Sequence, residues 1–435
     1  MTQEKMDKVL AGAIGHFWHN DLAIRKTDQK MERGYVRLNE HDEVEIASLN
    51  EDPRRRLFDE SIPFPRSITG ITEHGGIMAL AITGRGSTIG FGHVASVLRY
   101  RAGAIVVGVN PNELRTAGIK SLTLYYSGLG SWAGIERADE EFGQDSRGIL
   151  KTYSIALDGA VDETVGLSGG TQLKVSSHWS VTGPSDRRIL ATPTAITVQA
   201  NRPRPANELR ERLHWVHALA CLAYSGFIVA DGGAVIPDLG REGESPTYWD
   251  RRFMRRPKGA PEPTDHDFPM FRLASIGGIG GLGRWVRICE QHPRAVRPVV
   301  DEYLQGFRSP SVRLLEVASG IEYWVNRHRR SAGWAKASGS KALVLSKHVG
   351  KSFDQWTGNS ANWARKFWDA YNGLKHEPSF TMDPRETAIL AASGSLLLGV
   401  SVLNRAARSK APAREIFGTG HFNWQLRDAV RDLVA

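Results

Sequence analysis

The period of the apolar pattern changes near residue 202, and that change limits what the chain can fold into more than any other feature. Before it, short β-type runs at 34–38, 43–46, 77–82, 104–109, 120–126, 152–157, 172–177 and 195–199 alternate with breaks rich in Gly, Pro, Asp and Asn. Such runs read as strands joined by tight turns, which predicts an antiparallel sandwich or barrel. Arg202-Pro-Arg-Pro205 then makes a stiff break. Beyond it apolar residues recur at helical spacing over 207–227, 311–330, 342–356, 360–376 and 384–407. The expected class is α+β: an antiparallel β-rich domain over 1–201, a helical and loop connection over 202–297, and an all-α bundle over 298–435. A length of 435 residues also exceeds one ordinary core.

Charge divides along the same line. Residues 1–293 hold 35 Lys and Arg against 35 Asp and Glu, whereas 294–435 hold 21 against 12, so the whole net charge of +9 lies in the last third. A localised basic excess suits a binder of phosphate backbones as well as plain solubility. Arg327, Arg329, Arg330, Lys336, Lys341, Lys347 and Lys351 are interleaved with Trp324, Trp334 and Phe353, a mixture that suits nucleic acid. Arg251, Arg252, Arg255 and Arg256 beside Trp249 and Phe253 read either as a basic loop or as a surface connector. The apolar run at 218–230 is too short to span a bilayer, and no transmembrane helix is expected. The charged N-terminus does not read as a secretory signal. Cys221 and Cys289 form no CxxC and no zinc-type spacing, which points to a reducing compartment, most simply the cytoplasm, and to no metal.

The stretch 361–376 carries the densest chemistry. Trp363, Phe367, Tyr371 and Leu374 make one apolar stripe, and Arg365, Asp369, Asn372 and His376 make a second, polar one. Asn359 or Ser360 can cap its start, and Pro378 should end it near His376 or Glu377. Histidine is the side chain suited to general acid or base work near neutrality, so Asn372 and His376 on one face form a candidate site. Trp363 and Phe367 can serve a core or an interface between copies. Gly278-Ile-Gly-Gly-Leu-Gly283 fits GxGxxG, but the residues after Gly283 are helical and interrupted by proline, so a flexible turn is the better reading. GxxxxGK[ST], HExxH and GxSxG are all missing from the chain.

Several of these segments together resemble the ApeA-like abortive-infection proteins of bacteria. These join a β-rich N-terminal domain to a C-terminal HEPN domain, the higher eukaryotes and prokaryotes nucleotide-binding helical fold. The resemblance rests on Gly34-Tyr-Val-Arg-Leu with Glu43-Val-Glu-Ile, on Ile68-Thr-Gly-Ile-Thr before Gly76-Ile-Met-Ala-Leu, and on the stretch from Ser121 to Trp132-Ala-Gly. In the last third it rests on Glu316-Val-Ala-Ser-Gly-Ile-Glu322-Tyr-Trp and on Tyr371-Asn-Gly-Leu-Lys-His376.

HEPN ribonucleases of this kind use an Arg-x(4 to 6)-His motif, often Arg-Asn, from each of two protomers. Asn372 and His376 match it here, and Tyr371 stands where the arginine is usual. Arg365 lies eleven residues before His376, roughly 16 Å along a helix, so it cannot replace that arginine. Lys375 or an arginine of a neighbouring helix such as Arg327 can supply the charge, though lysine lacks the bidentate fork.

The resemblance implies metal-independent cleavage of RNA without a cofactor. His376 acts as acid or base, Asn372 orients, Lys375 neutralises charge and Glu322 braces, while Arg327, Arg329, Arg330, Arg365 and Tyr371 contact the nucleic acid. It further implies a homodimer or higher oligomer through the helical domain, a phage-derived trigger sensed by the β-rich domain, and no membrane. The alternative is a non-catalytic HEPN-like module that binds RNA or dimerises, which the tyrosine favours.

Overall fold

The computed structural model describes residues 2–19, 31–50, 65, 67–89, 96–110, 118–135, 138–157, 162–177, 179–184, 186–237, 245–263, 268–330, 334, 339–418 and 423–435. Six strands open the chain: β1 (Ala13–His19), β2 (Glu32–Leu38), β3 (Val44–Asn50), β4 (Ser67–Thr72), β5 (Gly75–Ile89) and β6 (Ser96–Val107). Their order is β6-β3-β2-β1-β4-β5, and β5 pairs again with β6, which closes an antiparallel barrel. Along its other edge β6 pairs with β3 from Ser96 to Ala102 and then, from Ala104 to Val107, with a distant strand at Thr247–Asp250. Buried on both sides there, it reads as an unbroken apolar run, Ala104-Ile-Val-Val107.

The sheet continues through β7 (Gly118–Tyr126), β10 (Asp162–Leu167), β11 (Thr171–Ser177), β14 (Thr194–Pro205), β15 (Gly232–Pro237) and β16 (Thr247–Asp250), in the order β10-β11-β14-β7-β15-β16-β6. Two separate hairpins, β8 (Ala138–Gln144) with β9 (Leu150–Leu157) and β12 (Ser180–Thr182) with β13 (Ile189–Ala191), stand apart from it. The N-terminal antiparallel barrel and sheet and the C-terminal helices agree with the α+β expectation.

The β region does not end at 200, however. Arg202-Pro-Arg-Pro205 is the end of β14, which bulges between Gln199 and Arg204 and then pairs Pro205 with Gly118. Strands β15 and β16 lie in the middle of the sheet although they come after residue 230. Pro203 lies within the bulge and Pro205 is the last residue of the strand, places where ladder donors are not all needed.

The helices are α1 (Thr2–Ala11), α2 (Gly130–Ala133), α3 (Ala206–Ala223), α4 (Arg251–Met254), α5 (Gly278–Gln291), α6 (Pro293–Gln305), α7 (Pro310–His328), α8 (Lys341–Val349), α9 (Lys351–Thr357), α10 (Ser360–His376), α11 (Pro384–Ala407), α12 (Ala411–Gly418) and α13 (Trp424–Val434). The segment expected as one helix over 342–356 is two, because Gly350 takes a positive φ of 100° between them. Helix α3 lies against β14 and β7 on one side and against α5 and α6 on the other. Two of its buried polar groups are matched across the sheet: Arg210 Nη2 donates to Asp250 Oδ1 at 2.9 Å beside a second bond from Nε, and His217 Nδ1 meets the Tyr126 hydroxyl at 3.1 Å.

The GxGxxG glycines begin α5 after a 3₁₀ turn, not after a strand. They serve packing, since a Cβ on Gly283 would meet Val165 of β10 at 2.9 Å. Helix α11 is longer than the run at 218–230, and by length and composition it could cross a membrane. Here it is the centre of the bundle, with 72% of its apolar window buried and α5, α6, α7, α8, α10, α12 and α13 around it.

Among the histidines that burial lowers below the ordinary 6.5 are His217 of α3, to about 3, and His328 at the end of α7, to about 4. Both are neutral in the folded chain at pH 7 and take up protons on unfolding once the pH drops below 6.5. Stability should thus be level above about pH 6.5 and fall as the pH goes from there toward 4, approaching about 1.4 kcal/mol per pH unit for each histidine. Urea midpoints between pH 7.5 and 5.5 check this; an unchanged midpoint over that range would contradict the buried neutral histidines.

Candidate functional site

The polar face of α10 and the exposed stripe of α7 meet through three side chains. Lys375 Nζ donates to the Tyr371 hydroxyl at 2.9 Å, and that hydroxyl donates to Glu322 Oε2 of α7 at 3.3 Å. The Lys375 ammonium also lies 5.0 Å from the centre of the Tyr371 ring. The hydrogen bond from Lys375 to Tyr371, with the Glu322 carboxylate nearby, holds that ammonium above the usual lysine range. It is a full positive charge at neutral pH.

Asn372 and His376 are exposed one turn apart on the same helix, and His376 has no hydrogen-bond partner among the described residues. Asn359 caps the start of α10 by accepting from Asn362, and the helix ends at His376, both as the sequence predicts. The chain then turns back so that the Phe380 ring packs on the last turn, where a Cβ on Gly373 would meet it at 2.6 Å. Tyr371 is therefore neither pure core nor a free phosphate donor: its ring is buried and its hydroxyl is already shared.

On α7, Ser319, Glu322, Tyr323, Asn326 and Arg327 line an open cleft of about 360 Å³ together with Arg294 of α6. Arg294 lies over the Tyr323 ring at 5.3 Å, and the Tyr323 hydroxyl meets His292 Nδ1 at 3.0 Å. Glu322 belongs to both the cleft and the α10 group. Arg327, Arg329 and Arg330 are exposed at the end of α7 and have no acidic partner among the described residues. The structure does not bring Arg365 to this group: it lies nearly three turns earlier on α10, its guanidinium bonded to Asn362 at 2.8 Å.

Other expected contacts change meaning. Trp324, Trp334 and Phe353 are buried, so they offer no face to a base. Lys336 lies outside the described residues. Arg251, Arg252, Arg255 and Arg256 are paired with Glu43, Glu211, Asp42 and Glu262, which removes them as a free basic loop. Trp363 and Phe367 are core of this chain and not an interface, both fully buried against α11. Reading from sequence missed Arg294, Ser319, Tyr323 and Asn326. The i, i+4 repeat of Ser319, Tyr323 and Arg327, offset from that of Glu322, Asn326 and Arg330, was the available signal.

A closed antiparallel barrel that runs into a longer sheet and a helical C-terminal region defines the class of the molecule. The family ApeA N-terminal domain 1 matches residues 12–285, well over half of the chain, and the chain belongs to that family. The match spans the barrel, the whole sheet, α3 and the first half of α5, which supports an ApeA-like defence protein. No curated protein and no solved structure matches the chain.

The site halves sit on two helices held to α11 by Trp324 Nε1, which donates to Ser401 Oγ at 3.0 Å, and Trp363 Nε1, which donates to Ser393 Oγ at 2.9 Å. Replacing Ser393 by Ala should cost about 1–3 kcal/mol, because a buried indole N–H loses its partner. Gly394→Ala should cost about as much by overpacking, since its Cβ would meet the Phe367 ring at 2.4 Å. Urea unfolding measures both, and costs near zero would show that α10 does not depend on this contact.

Proposed function

We propose that the chain is a cytoplasmic effector of phage defence whose HEPN-type helical domain cleaves RNA, under control of its β-rich domain. The observation that carries this reading is the Lys375–Tyr371–Glu322 hydrogen-bonded chain beside exposed Asn372 and His376. In it the fixed lysine charge occupies the role that the missing arginine has in the resembling ribonucleases. His376 has the freedom to remove a proton from a ribose 2′-hydroxyl or to give one to the leaving 5′-oxygen. Lys375 neutralises charge that develops on the phosphate, Asn372 orients it, and Glu322 acts through Tyr371 to fix where the ammonium points. Single-stranded RNA suits the partly unpaired basic end of α7, with Arg327, Arg329 and Arg330 along the backbone path. A second copy, joined through the helical region, would double the site.

Control has a physical route. Glu290 of α5 accepts from Arg212 of α3 at 3.2 Å and from Ser168, beside the β10–β11 turn, at 3.3 Å. A phage-derived trigger that shifts this hairpin would move α5, and with it the helices packed on α11. The second reading, an RNA-binding or dimerising module without catalysis, is favoured by the tyrosine at the usual arginine position.

Incubation of purified protein with total cellular RNA, with and without EDTA, separates the two. The ribonuclease reading expects fragments ending in 2′,3′-cyclic phosphate whether or not EDTA is present. It also expects a loss of about 10²–10⁴-fold in rate for His376→Ala, and harm to cells overexpressing the wild type but not the variant. Intact RNA together with harmless overexpression would favour the binding module.

A further inference from the structure

We propose that the cleft between α6 and α7 is a nucleobase subsite, which receives one base of a ribonucleotide whose neighbouring phosphate faces Lys375 and His376. This rests on the reading of the α10 group as an RNA site and adds what the RNA places beside it. The volume, about 360 Å³, lies in the range of roughly 300–1,000 Å³ typical of small-ligand pockets.

Its lining is that of a base and not of a bare anion. Glu322 inside the cleft repels a phosphate but accepts N–H groups from a base edge, and a carboxylate retains acceptor capacity beyond the single bond that Tyr371 makes. Asn326 and Ser319 offer further donors and acceptors along the same wall. The Arg294 guanidinium is held over the Tyr323 ring, and a guanidinium plane fixed in this way is a stacking platform for a base. Tyr323 is fixed in turn by its hydrogen bond to His292, which burial and the charges of Arg327 and Arg405 keep neutral. Arg327 leaves positive charge at the rim, where the backbone would pass.

The cleft and the α10 group share Glu322. A base seated on one side of that carboxylate therefore places its own sugar and phosphate toward the other, which is the positioning a cleavage site without an arginine fork requires.

The test is fluorescence anisotropy of a 2′-O-methyl RNA hexamer, which resists cleavage, and of the same hexamer with its bases removed. The proteins are wild type, Arg294→Ala, Asn326→Leu and, as a control for lost charge, Lys5→Ala on α1. Arg294 and Asn326 are exposed, so the variants should fold, and unchanged thermal unfolding checks that. The expected result is that Arg294→Ala and Asn326→Leu bind the intact hexamer about tenfold or more weakly. Lys5→Ala should bind it as wild type does, and the base-free hexamer should bind weakly to all four proteins.

Equal binding of the intact hexamer by wild type and both cleft variants overturns the subsite alone. So does tight binding of the base-free form by wild type. If 5′-nucleoside monophosphates saturate the cleft while the hexamer does not bind, the subsite stands for a free nucleotide and the RNA reading falls. If neither hexamer nor monophosphate binds wild type, both fall.

Discussion

Two indole N–H groups hold the candidate site together. Trp324 of α7 and Trp363 of α10 each donate to a serine of α11, Ser401 and Ser393. These serines are eight residues apart, about 12 Å along the helix, so α11 fixes both the angle and the spacing of the two helices that carry Glu322 and Lys375. Small residues let the helices come close enough for this. Gly320 of α7 faces Leu398, and Gly394 faces Phe367 and Val317. An apolar helix of 24 residues buried in this way is the reason the bundle can present a polar edge without losing its core.

Helix α3 performs the same service between the sheet and the bundle. Its Arg210 is forked to Asp250 at the end of β16, its Arg212 bonds Glu290 of α5, and the Trp285 indole of α5 donates to the carbonyl of Trp215 at 2.8 Å. The buried Arg210–Asp250 pair is costly to separate, which favours movement of α3 with β16 as one piece. Any signal received by the sheet thus has a stiff path to α5 and α11, and from there to α7 and α10. That gives the proposed control by the β-rich domain a mechanical basis.

Much of this was legible in the sequence, and the failures have physical causes. The helix from Ser360 to His376 was readable to the residue because a capping Asn, a regular apolar stripe and a proline just past the end all agree. Parts of the barrel strands β2, β3, β5 and β6 were readable from their short apolar runs, whereas β15 and β16 were not, since what makes Gly232–Pro237 a central strand is its pairing with β7, a hundred residues earlier. Aromatic residues between basic ones read as a nucleic-acid surface, but Trp324 and Trp334 point into the core, where they pack around His328. The dual part played by Tyr371 could not be read at all. Its ring follows the apolar stripe, and only the fold brings Glu322 of another helix to its hydroxyl.

Photo-crosslinking tests the central claim, that RNA is engaged where α7 meets α10. Purified protein would be irradiated with RNA containing 4-thiouridine and the linked peptides identified by mass spectrometry. Links concentrated in peptides that contain 319–330 and 372–376 are expected. Links confined to the barrel and sheet, or to the paired arginines at 251–256, would contradict it.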